Sequence, residues 1–86
     1  MDSLTYTVTN IVTNSILEVN IMGNNALEHS YQINNEQGRV LMQGKIEGKV
    51  KTTCLFVGNL TNGKYTFQMD DADLIEFSIR QGSPLT

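Results

Sequence analysis

The chain has 86 residues, a net charge of −3, one cysteine, one proline and no tryptophan. That is room for a single domain, with neither a disulfide framework nor a multi-cysteine zinc site. The six basic residues are scattered, unlike the clustered Lys and Arg that nucleic-acid phosphates demand, so no nucleic-acid partner is expected. No apolar run approaches the roughly 20 residues of a membrane-spanning helix, so no transmembrane segment is expected. Met1-Asp2-Ser3 opens without the basic and apolar regions of a secretory signal. That start fits either a protein kept inside the cell or a mature segment whose leader has gone.

Thr, Ile and Val together number 22, against two Ala. β-branched side chains lose rotamer freedom in helices and pack well on a pleated sheet. Nine Asn and seven Gly supply turns, because both tolerate positive φ. The chain then reads as seven strands. Leu4 to Val8 alternates, with Leu4, Tyr6 and Val8 on one face; Asn10 to Asn14 is a weaker break that Ile11 and Val12 could carry a strand past. Ile16 to Met22 puts Leu17, Val19 and Ile21 on one face, and Gly23-Asn24-Asn25 stops it. His29 to Asn34 points Tyr31 and Ile33 inward, and Asn34 to Gly38 is a hairpin loop with Gly38 where φ must be positive.

Arg39 to Ile46 is the return strand, with Val40 and Met42 in phase, and Glu47-Gly48-Lys49 turns it. Val50 to Val57 follows, with Leu55 and Val57 inward. Asn62-Gly63 is the strongest two-residue turn signal. Lys64 to Asp70 directs Tyr65, Phe67 and Met69 inward; Leu74 to Arg80 does the same with Ile75, Phe77 and Ile79. Gln81 to Thr86 reads as a frayed tail after an ordered part of about residues 4–80. No segment keeps a 3.6-residue apolar period over two turns, so no substantial helix is expected. Short strands at regular spacing predict an all-β, antiparallel two-sheet sandwich. Its expected core is Leu17, Val19, Ile21, Tyr31, Ile33, Val40, Leu55, Leu60, Tyr65, Phe67, Ile75 and Phe77.

A resemblance covers roughly residues 15–80, carried by the string at 31–67. Tyr31 to Gly44, Val50 to Val57 and Asn59 to Phe67 contain Gly38-Arg39-Val40, then Leu60, then Gly63-Lys64-Tyr65. This grammar resembles the C-terminal sorting domain of proteins exported by the type IX secretion system of Bacteroidetes. It is similar also to a family of small secreted immunoglobulin-like proteins of gut Bacteroidetes. Two positions differ from the sorting family: Asn14-Ser15 stands where an Asn-Pro pair is usual, and the last strand carries only Arg80 and no second basic residue. The resemblance implies a small immunoglobulin-like sandwich, exported or at the cell surface, with a protein partner or export machinery. Gly38, Arg39, Val40, Leu60, Gly63 and Tyr65 are then motif residues of structural role.

Chemistry-bearing residues are few. His29 has no second His or Cys at ligand spacing, and is expected at the surface or an edge. Cys54, in an alternating strand, is expected to be a small buried or half-buried thiol. Asp70, Asp71 and Asp73 form the most site-like cluster. Three acids on one turn could give part of the six to eight oxygens calcium takes, although acids in strand connections are usually solvated turn formers. Asn59-Leu60-Thr61 fits a glycosylation sequon but reads as a turn. Tyr6, Tyr31 and Tyr65 fall on inward phases, which weakens a sugar-stacking platform. No cofactor and no enzymatic activity are expected. The leading expectation is a non-enzymatic module for sorting, attachment or protein recognition. The alternative is a calcium- or carbohydrate-binding module using the Asp70 to Asp73 turn. Leu4 to Val12, an edge without charge or proline, is the expected route to a weak homo-oligomer by strand addition or exchange.

Overall fold

A computed structural model of the chain describes residues 5–22, 28–48 and 50–81. Leu4, the Gly23-Asn24-Asn25 stop, Lys49 and the tail beyond Gln81 lie outside the described residues. Eight strands form among the described residues and no helix. They are β1 (Thr5–Val8), β2 (Ile11–Val12), β3 (Ile16–Met22), β4 (Glu28–Asn34), β5 (Val40–Glu47), β6 (Thr52–Phe56), β7 (Gly63–Met69) and β8 (Ile75–Ile79). β1-β3-β6 make one sheet and β2-β8-β7-β4-β5 the other. A three-stranded sheet packed on a five-stranded one makes a small β-sandwich.

The eighth strand comes from the break at Asn10. β1 pairs antiparallel with β3, from Thr5 opposite Met22 to Val8 opposite Val19. The chain then crosses to the other sheet, where Ile11 and Val12 run parallel to Ser78 and Ile79 of β8. Asn10 O accepts Ser78 N–H at 3.0 Å and Val12 O accepts Arg80 N–H at 2.8 Å. The sandwich is therefore antiparallel except at this one pair.

The core between the sheets follows the two-residue period. Leu17, Val19 and Ile21 of β3 face Ile33, Tyr65, Phe67, Met69, Phe77 and Ile79, all buried. Tyr31, Leu55, Leu60 and Ile75 are half-buried against this core. Tyr6, Val12, Ile46 and Val57 complete it. Phe67 sits at its centre, with the Tyr6 ring edge-on at 5.6 Å and the Tyr31 ring stacked at 5.7 Å.

Two motif positions perform the work the sequence suggests. Gly38 has φ 83°, a region that costs a side chain strain but not glycine. Asn35 closes the same hairpin, its Oδ1 accepting Gln37 and Arg39 N–H at 2.9 Å each. Tyr65, near the start of β7, donates its hydroxyl to Thr61 O at 2.6 Å. This is the tyrosine corner of immunoglobulin-like sandwiches, which pins the connection arriving from the opposite sheet. Asn62-Gly63 thus ends a crossing between sheets, since β6 and β7 belong to different ones. Leu60 is half-buried under that crossing.

Three expectations are corrected. Val40 is 43% exposed rather than in the core. Gln32 pairs with Gln43 and Ile33 with Met42, but Asn34 pairs with Val40. Leu41 is the extra residue of a β-bulge, and the slip of one residue turns Val40 to the outer face. His29 is fully buried instead of superficial; it shares the inward phase of Tyr31 and Ile33 on β4. Cys54 is exposed instead of buried, because Thr53, Leu55 and Val57 take the inward phase on either side of it.

Candidate functional site

The Asp70 to Asp73 turn, the most site-like cluster of the sequence, is a latch between the sheets. Asp70 adopts φ 52°. Its two carboxylate oxygens are both engaged: Oδ2 accepts from His29 Nδ1 at 2.7 Å, and Oδ1 accepts Ser30 N–H at 2.9 Å. Its own N–H donates to Ser30 O at 2.7 Å. Asp70 thereby ties the end of β7 to the start of β4 and gives the buried imidazole an acceptor. His29 Nε2, also buried, has no partner among the described residues.

From the other sheet, the Tyr6 hydroxyl of β1 donates to Asp73 O at 2.8 Å and accepts Met69 N–H at 3.3 Å. Burial of the phenol pushes the Tyr6 pKa up, and the nearby Asp73 and Asp70 charges add to the rise against the backbone hydrogen bond from Met69. Ala72 O accepts from Gln68 Nε2 at 2.9 Å. Asp71 is exposed. Among the described residues no group of three or more His, Cys, Asp or Glu is placed to hold a metal ion. All three acids are exposed, as the sequence reading of solvated turn formers has it; the signal for the added latch at Asp70 was the odd-numbered phase that carries His29 inward.

The outer face of the five-stranded sheet has a different character. Strand pairing sets out its rows. Val40, Asn34, Thr66 and Glu76 stand side by side across β5, β4, β7 and β8. The next row toward the Asp70 turn is Gln43, Gln32 and Gln68. In the other direction come Lys64, Ser78 and Ile11. Neutral amides and hydroxyls dominate. Shallow hollows indent it, two of them along the first two rows. One of about 300 Å³ lies between the Asn35–Gly38 loop and Leu74, with Asn34, Thr66 and Glu76 along it. The other, about 350 Å³, spans the glutamine row.

Asn34 is buried beneath the first hollow, and its Oδ1 has no hydrogen-bond partner among the described residues. Of the six large apolar side chains that the described residues expose, Leu74 lines the first hollow, and Ile11 and Val40 end the rows at the two edges of the face, on β2 and β5, with the bulge residue Leu41 next to Val40. A largely uncharged face with exposed apolar side chains at its margins is the candidate binding face. The sequence missed it because Val40 reaches it only through the bulge. The motif residue Arg39 is exposed beside it, at the end of the β4–β5 loop.

The remaining candidates lie elsewhere. Cys54 is on the outer face of the three-stranded sheet, in the row of Glu18. Tyr65 is buried, and Tyr31 lies over Gly44, where a Cβ would come within 2.9 Å of its hydroxyl. The three tyrosines therefore build no common platform. No described helix is long and apolar enough to cross a membrane. Comparison with protein-family models, with curated proteins and with solved structures finds no match to this chain.

Proposed function

We propose that this domain is a non-enzymatic recognition module, exported or held at a cell surface, that engages a protein partner through the outer face of its five-stranded sheet. The observation that carries the reading is a broad outer face whose central rows are mostly neutral amides and hydroxyls, with exposed Ile11 and Val40 at its two edges and Leu74 beside one hollow. Protein interfaces are depleted of charged residues at their centre. The sheet supplies rigid backing, so little ordering entropy is lost when a partner docks. The exported setting rests on the resemblance of Gly38-Arg39-Val40 and Gly63-Lys64-Tyr65 to the sorting and small secreted families.

A photo-crosslinking residue at Leu74 or Gln32, in the protein expressed in its own host, tests the face. One discrete protein adduct is expected from these positions and none from Thr7 on the opposite sheet. Adducts of equal yield from both faces, or from neither, contradict the reading.

A further inference from the structure

β6 ends the three-stranded sheet, with β3 on one side and no strand on the other among the described residues. Two hydrogen bonds fix which of its backbone groups are free. Lys51 O accepts Ile21 N–H, and Val57 N–H donates to Ser15 O, both at 2.8 Å. In an antiparallel ladder a residue sends its N–H and C=O to the same neighbour, and successive residues alternate. Lys51, Thr53, Leu55 and Val57 therefore turn toward β3. Thr52, Cys54 and Phe56 present three N–H and three C=O groups to the open edge.

Natural edges are normally closed by charge, proline or a bulge. The β5 edge follows this rule, with Lys45, Glu47 and the bulge at Leu41. β1 lies against β8 as well as β3, because the chain crosses between sheets there. Thr52–Phe56 contains no charge, no proline and no bulge. Its Phe56 is 62% exposed, more than any other large apolar side chain described.

The strand is also self-complementary. It has five residues with Cys54 at the centre. Twofold antiparallel pairing about Cys54 sets Cys54 against Cys54 and Thr52 against Phe56. All three outward residues then exchange both hydrogen bonds, and each Phe56 ring lies beside the partner's Thr52 on the outer face. From this phase and symmetry we infer that β6 pairs with β6 of a second copy of this chain, giving a continuous six-stranded sheet. The isologous contact closes on itself and leaves the proposed recognition face free.

The pairing makes a chemical prediction. Hydrogen-bonded antiparallel partners have Cα atoms about 5.5 Å apart, inside the roughly 4.4–6.8 Å range of disulfides, while their Cβ atoms stand wider than the roughly 3.5–4.5 Å of a relaxed bridge, so a Cys54–Cys54 bond would form with strain and reduce easily. Added oxidised glutathione would take two electrons and two protons from the two Cys54 thiols, leaving one S–S bond and two reduced glutathione molecules.

Sedimentation of the full chain in reductant, from about 10 µM to 1 mM, tests the association itself. The expected result is a shift from monomer to dimer that Cys54→Ser keeps and Cys54→Lys abolishes, with the circular dichroism and melting temperature of Cys54→Lys unchanged. Glutathione disulfide should convert the wild type, and not Cys54→Ser, to a covalent dimer. A monomer throughout the range overturns the inference. So does dimerisation of folded Cys54→Lys equal to the wild type, which places the contact at another edge, that of residues 4–12 included. Neither outcome touches the crosslinking result at Leu74 and Gln32, so the two readings fail separately.

Discussion

His29 and Cys54 show how residue identity can mislead where periodicity does not. Counting by two from Ile33 takes His29 inward, and counting from Leu55 takes Cys54 outward; the structure follows both counts. Their chemistry suggests the opposite places, because a lone His usually prefers the surface and a free Cys behaves as a small hydrophobe. Burial of His29 depends on the Asp70 carboxylate, and that acceptor, 41 residues away in sequence, is invisible to local reading. Asp70→Ala removes the acceptor and leaves a buried N–H unpaired, at a cost of about 1–3 kcal/mol. Asp70→Asn keeps one carbonyl acceptor and a residue tolerant of positive φ, so urea unfolding should rank wild type above Asn above Ala. An Ala variant as stable as the Asn variant would show the latch to be inert. Tyr6 gives a pH signature. Its folded-state pKa is raised above the ordinary value of about 10, so the neutral phenol is favoured by folding. The stability this linkage contributes is complete below about pH 10 and is lost as pH rises through the folded-state pKa. Urea midpoints between pH 8 and 11 should fall more steeply for the wild type than for Tyr6→Phe. At neutral pH the Phe variant should be about 1 kcal/mol less stable, for want of the bonds to Asp73 and Met69.

At the scale of the element, β3, β7 and β8 were legible throughout, because each keeps strict alternation between one buried and one wetter face. The β4–β5 hairpin was legible in its loop, where Gly38 and Asn35 do what their types suggest, but not in its register. A bulge adds one residue without any required residue type, so nothing in Arg39 to Gln43 announces that Val40 and Met42 face opposite ways. Stability separates the two readings. Val40→Ala should change the unfolding free energy by no more than about 0.5 kcal/mol, as at ordinary surface positions. Phe67→Ala should cost about 3–5 kcal/mol, since its ring is enclosed by those of Tyr6 and Tyr31. In a domain with about 5 kcal/mol or a little more in total, that variant should be largely unfolded at 37 °C. A large loss at Val40 with a native-like melt for the Phe67 variant would reverse the assignment of faces. The crossing at Asn10 was half legible: the break is in the sequence, whereas the change of sheet depends on where β8 lies.

For the whole molecule, two sheets are held by an aromatic core and by the turn that Tyr6 and His29 grip from opposite sides. That arrangement frees the outer face of β2-β8-β7-β4-β5 from structural duty and leaves it available for a partner. The sandwich itself was readable from turn spacing and β-branched content; the proposed binding face was not, because no motif marks it and its apolar members come from three separate segments. Which residues that face presents depends on the register of β5 against β4. Cross-strand nuclear Overhauser effects in the assigned protein measure it directly. The account predicts a contact between the backbones of Asn34 and Val40, together with one between Ile33 and Met42, and Val40 methyl groups open to solvent. Pairing of Asn34 with Leu41, with the Val40 methyls in contact with the buried side chains of Ile33 and Phe67, would contradict it.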